Sequence, residues 1–119
     1  MENKFFEFHQ NNTGGSFIIN DEVSHIVVIE AVNADHANET AKYVAGIYFN
    51  GCEDGSDCPC CGDRWYEVFD GDGSDTPMVY GQPLAEYNDM WAKYAILWSY
   101  DPDGKMTAKK VYFGTKGIE

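Results

Sequence analysis

The run His25-Ile26-Val27-Val28-Ile29-Glu30-Ala31-Val32 leaves the rest of the chain little freedom. β-Branched residues dominate it and apolar side chains follow one another without alternating, which predicts a central strand buried on both faces. The residues that follow predict a helix from about 34 to 45. Asn33 suits the N-cap, Asp35 favours the first turn, and Gly46 fits the C′ stop. Ala34, Ala37, Ala41, Val44 and Ala45 fall on one helical face at spacings of three and four. A face built mainly of alanine predicts a helix packed close against a sheet.

Other strands are expected around this unit. Residues 4–9 read as a first strand rich in Phe, and Gln10-Asn11-Asn12-Thr13-Gly14-Gly15 as a loop or hairpin turn, with 16–20 as its return strand. Residues 47–49 and 65–69 read as short strands. Residues 70–77 form an acidic, turn-rich loop, and 81–89 fit no single element. Residues 94–100 and 106–113 flank Asp101-Pro102-Asp103-Gly104, which predicts a β-hairpin, although 85–98 also suit a helix. The expected fold class is α+β, with an antiparallel or mixed β-sheet and one main helix packed on a face. A chain of 119 residues suits one compact domain over 1–119.

Charge narrows the function. Twenty acids against eight Lys and Arg leave a formal charge of −12, a field that repels duplex nucleic acid and anionic membranes. Twelve of those acids lie within residues 51–104, where Arg64 and Lys93 are the only Lys or Arg. A small phosphorylated ligand needs only local amides and one or two cations, so it remains compatible. Aromatic residues make up 15% of the chain, more than one small core needs, which favours a binding site.

The start, Met1-Glu2-Asn3-Lys4-Phe5-Phe6-Glu7, has no basic segment followed by an apolar one, so no secretory signal is expected. Cys52, Cys58, Cys60 and Cys61 lie within ten residues, too close together to staple distant elements, as expected of an intracellular protein. Cys58 and Cys61 form a C-x-x-C followed by Gly62, with Cys52 or Cys60 as a third thiolate. A second knuckle is missing and His9, His25 and His36 stand singly, so structural zinc is not expected. The alternative is a tight loop whose Cys side chains pack on Trp65.

Arg64 is the sole arginine. It suits a phosphate or a purine edge beside a stacking Trp65, or equally an ion pair with Asp57 or Asp63. The loop at 10–15 offers amides for an anion or a base edge, without a phosphate-binding fingerprint. Residues 70–75 lack the order and the final Glu of a calcium loop, so a solvated turn is expected. No catalytic constellation stands out, and His9 or His25 near Cys60 is the one nucleophilic pairing to check. The chain is therefore expected to bind rather than catalyse, without a cofactor.

Phe8-His9-Gln10-Asn11-Asn12-Thr13-Gly14-Gly15, together with Asp57-Cys58 and Cys60-Cys61-Gly62-Asp63-Arg64-Trp65, resembles a widespread family of small tailed-bacteriophage proteins. The strand–helix unit ending Gly46-Ile47-Tyr48-Phe49 is similar too. The resemblance extends to the anti-CBASS sponges, which sequester cyclic dinucleotide defence signals without cleaving them. It implies a homo-oligomer, such as a tetramer, acting in the host cytoplasm on a ligand such as a cyclic GMP-AMP. His9, Gln10, Asn11, Asn12, Thr13 and Gly14 would contact that ligand, with Arg64 as cation and Trp65 as stacking platform. The rival expectation is an acidic nucleic-acid mimic that inhibits a host protein through the acids between Glu53 and Asp75.

Overall fold

The computed structural model describes residues 3–11, 17–55, 57, 62–87 and 93–112. The apolar run becomes strand β2, Ile26–Ala31, and it lies inside a four-stranded sheet. One neighbour is β1, Lys4–His9, which pairs with it antiparallel. The other is β5, Tyr94–Tyr100, which runs parallel to it and pairs antiparallel with β6, Met106–Tyr112. The sheet is mixed because the chain crosses over between β2 and β5, and the fold is α+β with one main helix.

Both faces of β2 are covered. On one, Phe6, Phe8, Val27, Ile29, Ile96 and Trp98 pack against Ala34, Ala37 and Ala41 of helix α1, Ala34–Tyr43, and against Ile47, Trp65 and Val68. On the other, Ile26, Val28, Ala95 and Leu97 meet Val79 and Leu84. Those two belong to a small hairpin of β3, Met78–Val79, and β4, Gln82–Pro83, followed by a single 3-10 turn, Leu84–Glu86. Two-sided cover explains why Val27 and Val28 are fully buried although they point to opposite faces.

Helix α1 is capped at both ends. Asn33 Oδ1 accepts from His36 N at 2.8 Å, and the Asp70 carboxylate accepts from Ala34 N at 2.9 Å, placing negative charge at the helix N-terminus. At the other end Gly46 takes φ of +79°, and Ile47 N closes back on Ala41 O at 2.8 Å. The hairpin between β5 and β6 turns where expected. Asp101 Oδ1 accepts from Asp103 N and Lys105 N, and Gly104 supplies a positive φ.

Three expected strands do not form. Residues 17–20 are not a return strand, because β1 takes β2 as its partner and Asn20 Oδ1 caps a turn on Glu22 N and Val23 N. Residues 47–49 are held by the helix end and by the Tyr48 hydroxyl. Residues 65–69 run near β1, but the Asn38 amide of α1 takes both main-chain groups of Val68, at 3.0 and 2.9 Å, and draws the segment toward the helix. The helical alternative for 85–98 fails from Tyr94 onward, which is strand; residues 88–92 lie outside the described residues. Among the described residues, no helix is long and apolar enough to cross a membrane.

Candidate functional site

Gln10 closes β1 and Arg64 stands far from it in sequence, yet the two meet. Arg64 Nη1 donates to Gln10 Oε1 at 2.9 Å and Arg64 Nε to Tyr48 Oη at 2.9 Å. Asp57 completes the group. Its Oδ2 accepts from Arg64 N at 2.7 Å, its Oδ1 accepts from Tyr48 Oη at 2.6 Å, and Oδ1 lies 3.7 Å from Arg64 Nε. Of the two ion pairs open to Arg64 in the sequence, the structure forms the one with Asp57. The Asp57 side chain is wholly buried and that of Arg64 is 9% exposed. A buried carboxylate needs this much partnering, and the arrangement supplies it. Burial, reinforced by the bond to Asp57, holds the Tyr48 hydroxyl above the ordinary tyrosine pKa.

The short helix α2, Gly51–Asp54, makes room for that carboxylate. A Cβ on Gly51 would lie 2.0 Å from Asp57 Oδ2 and 2.7 Å from the Tyr48 ring, so only glycine fits there. Gln10 also ties the neighbouring loop. Its Nε2 donates to Ile18 O and Ser24 O, and its Oε1 accepts from Ile18 N. Asn11 joins the two motif segments directly, with N donating to Arg64 O at 2.7 Å and Nδ2 to Asp63 O at 3.1 Å. Asp63 Oδ1 accepts in turn from Cys52 N.

The expected contact residues therefore divide. Gln10 and Arg64 are buried in the network, and Trp65 is 2% exposed, in the core cluster that also holds Phe8 and Val27. His9 and Asn11 are half-buried. Asn12, Thr13 and Gly14 lie outside the described residues, as do Cys58, Cys60 and Cys61, so the candidate zinc loop is represented here by Cys52 alone. Among the described residues no His, Cys, Asp or Glu group of three is arranged to hold a metal. The carboxylates at 70–75 have protein partners: Asp70 caps α1, Asp72 accepts from Phe69 N, and Asp75 pairs with Lys4.

Sequence reasoning did not anticipate a cleft beside this network. It has a volume of about 360 Å³ and is lined by Glu7, His9, Tyr66, Glu67, Val68 and Asp72. The His9 ring stacks on Tyr80 at 4.4 Å and its Nε2 lies 2.8 Å from Glu7 Oε2. Tyr80 holds a left-handed φ of +50°, an unfavourable setting for a bulky residue, and its ring is exposed. Glu67 also lines a second cleft of about 380 Å³, with Asp35, Glu39, Lys42, Tyr43 and Phe49 among its other walls. The only signal in the sequence was the density of acids and aromatics between 66 and 72.

The chain matches a family described as a domain of unknown function, DUF7296, over residues 3–116. Comparison with curated proteins and with solved structures found no match. The matched span takes in both motif segments, the buried network that joins them and the sheet that carries them, and the chain belongs to the DUF7296 family.

Proposed function

We propose that the protein acts by stoichiometric binding rather than catalysis, presenting an acidic face to a basic surface of a partner protein in the manner of a nucleic-acid mimic. One observation carries this reading: two adjoining clefts share Glu67 and are walled by Glu7, Asp72, Asp35 and Glu39 together with aromatic rings. Tyr66, lining the first, and Tyr43, lining the second, stand 58% and 76% exposed, so each cleft offers a ring beside its carboxylates. That combination suits guanidinium and ammonium groups, which gain from carboxylates and from ring faces at once. The cations nearby do not cancel it: Lys42 is the one Lys or Arg lining the two clefts, against the carboxylates of Glu7, Asp35, Glu39, Glu67 and Asp72, and Arg64 is buried beside Asp57. With the bacteriophage resemblance, the partner would be a host protein.

The cyclic dinucleotide reading keeps one favourable observation. The two segments that carry the bacteriophage resemblance meet at the Asn11 bonds to Arg64 and Asp63. In that reading Arg64 braces the loop through Gln10 and does not touch phosphate. Calorimetry separates the two. An arginine-rich peptide should bind, with affinity falling as salt rises from 50 to about 200 mM. A panel of cyclic di- and trinucleotides should leave the melting temperature unmoved. A nucleotide that stabilises the protein, with no binding of the basic peptide, would reverse the order of the readings.

A further inference from the structure

The outer edge of β1 is closed at two places and open between them. Phe5 and Ser74 exchange main-chain bonds at 2.8 and 2.9 Å, and Asn11 N donates to Arg64 O. Alternate residues of an antiparallel strand face alternate edges, so Phe5, Glu7, His9 and Asn11 share this outer edge. Between the two rungs, residues 65–73 bulge away over the length that residues 6–10 cover. Asn38 holds that segment toward α1 through Val68, away from the β1 edge. Among the described residues no main-chain bond links Glu7 or His9 to that segment. The space left is the 360 Å³ cleft. His9 Nδ1, at its margin, is buried with no hydrogen-bond partner among the described residues.

We infer that this gap receives a short extended stretch of a partner's main chain carrying an arginine or lysine. The partner's backbone pairs with the free edge at Glu7 and His9, and its cationic side chain lies between Glu67 and Asp72 against the Tyr66 ring. Charge complementarity selects the occupant. Glu7, Glu67 and Asp72 line the gap, and His9 is the one basic residue among the lining groups. Main-chain pairing supplies affinity and the carboxylates supply selectivity, as in other strand-addition sites. The inference rests on the acidic-binder reading and makes it specific.

The test uses the full chain and a blocked peptide, Thr-Arg-Val-Arg-Thr, with two variants: one N-methylated at the central residues and one with Glu replacing Arg. The parent peptide should bind, the Glu peptide should not, and N-methylation should weaken binding about tenfold by removing main-chain donors. Glu67→Gln should weaken it roughly three- to fivefold, while Asp103→Asn, a distant loss of the same charge, should not. Amide exchange at Glu7 and His9 should slow in the complex. Equal binding of parent and N-methylated peptides, with Glu67→Gln and Asp103→Asn indistinguishable, would overturn the gap as the site and leave the acidic-binder reading standing. Absence of binding by any basic peptide would overturn both.

Discussion

Arg64 shows how one side chain can look like a ligand contact and serve as a brace. Its guanidinium is committed to Tyr48 and Gln10 and faces Asp57, whose side chain is wholly buried. Arg64→Met would strand that carboxylate, and breaking a buried pair in this way costs about 3–5 kcal/mol. That is a large share of the roughly 5–15 kcal/mol available to a domain, so the urea midpoint should fall steeply. Tyr48 gives the site a pH dependence of known sign. Its folded pKa is raised above its unfolded value, so its contribution is fully present below the ordinary tyrosine range, near about 10, and is lost as pH rises through the folded pKa. Stability measured by urea unfolding should therefore drop on the alkaline side of that range. Tyr48→Phe should be less stable at neutral pH and should lack that component of the alkaline loss.

Asn38 decides the course of a whole segment. Residues 65–69 have the composition of a strand and run beside an open edge, yet both main-chain groups of Val68 are taken by the Asn38 amide on α1. The helix thus props open the edge that a fifth strand of the main sheet would otherwise close. Asn38→Ala should remove two bonds and cost roughly 1–3 kcal/mol. Hydrogen exchange should quicken at Val68 in that variant, while the amides of β2 and β5 keep their rank as the slowest. If Val68 exchange is unchanged, the segment is held by its apolar contacts and not by the amide.

The charge of −12 is spread over a body of 39 × 35 × 24 Å. At about 10 mM salt the screening length is roughly 30 Å, so carboxylates on opposite sides repel one another; near 0.15 M it falls to about 8 Å. Self-repulsion on this scale opposes the compact state, so the melting temperature should rise as salt is added from about 10 to 150 mM at pH 7. The same salt should weaken any basic partner. Opposite responses of stability and binding to one variable would mark the acidic surface as a binding device maintained against the interest of the fold. A melting temperature that falls with salt would mean that favourable ion pairs outweigh the repulsion.

The run from Ile26 to Ala31, the capped alanine helix and the hairpin at 101–104 were legible in the sequence, because each is specified by residues close together along the chain. Apolar runs, capping chemistry and turn residues act within a few positions, and nothing in the fold opposed them. The spurious strands at 17–20, 47–49 and 65–69 carried acceptable local composition too. They fail because a distant group claims their backbone or their partner: β2 takes β1, Asp57 holds Tyr48, and Asn38 holds Val68. The site divides in the same way. The motif residues at 8–11 and 57–65 could be named from the sequence, but whether Arg64 faces a ligand or Asp57 depends on where the chain brings a buried carboxylate. The cleft is wholly tertiary, since it exists only where two rungs close and the segment between them is held away.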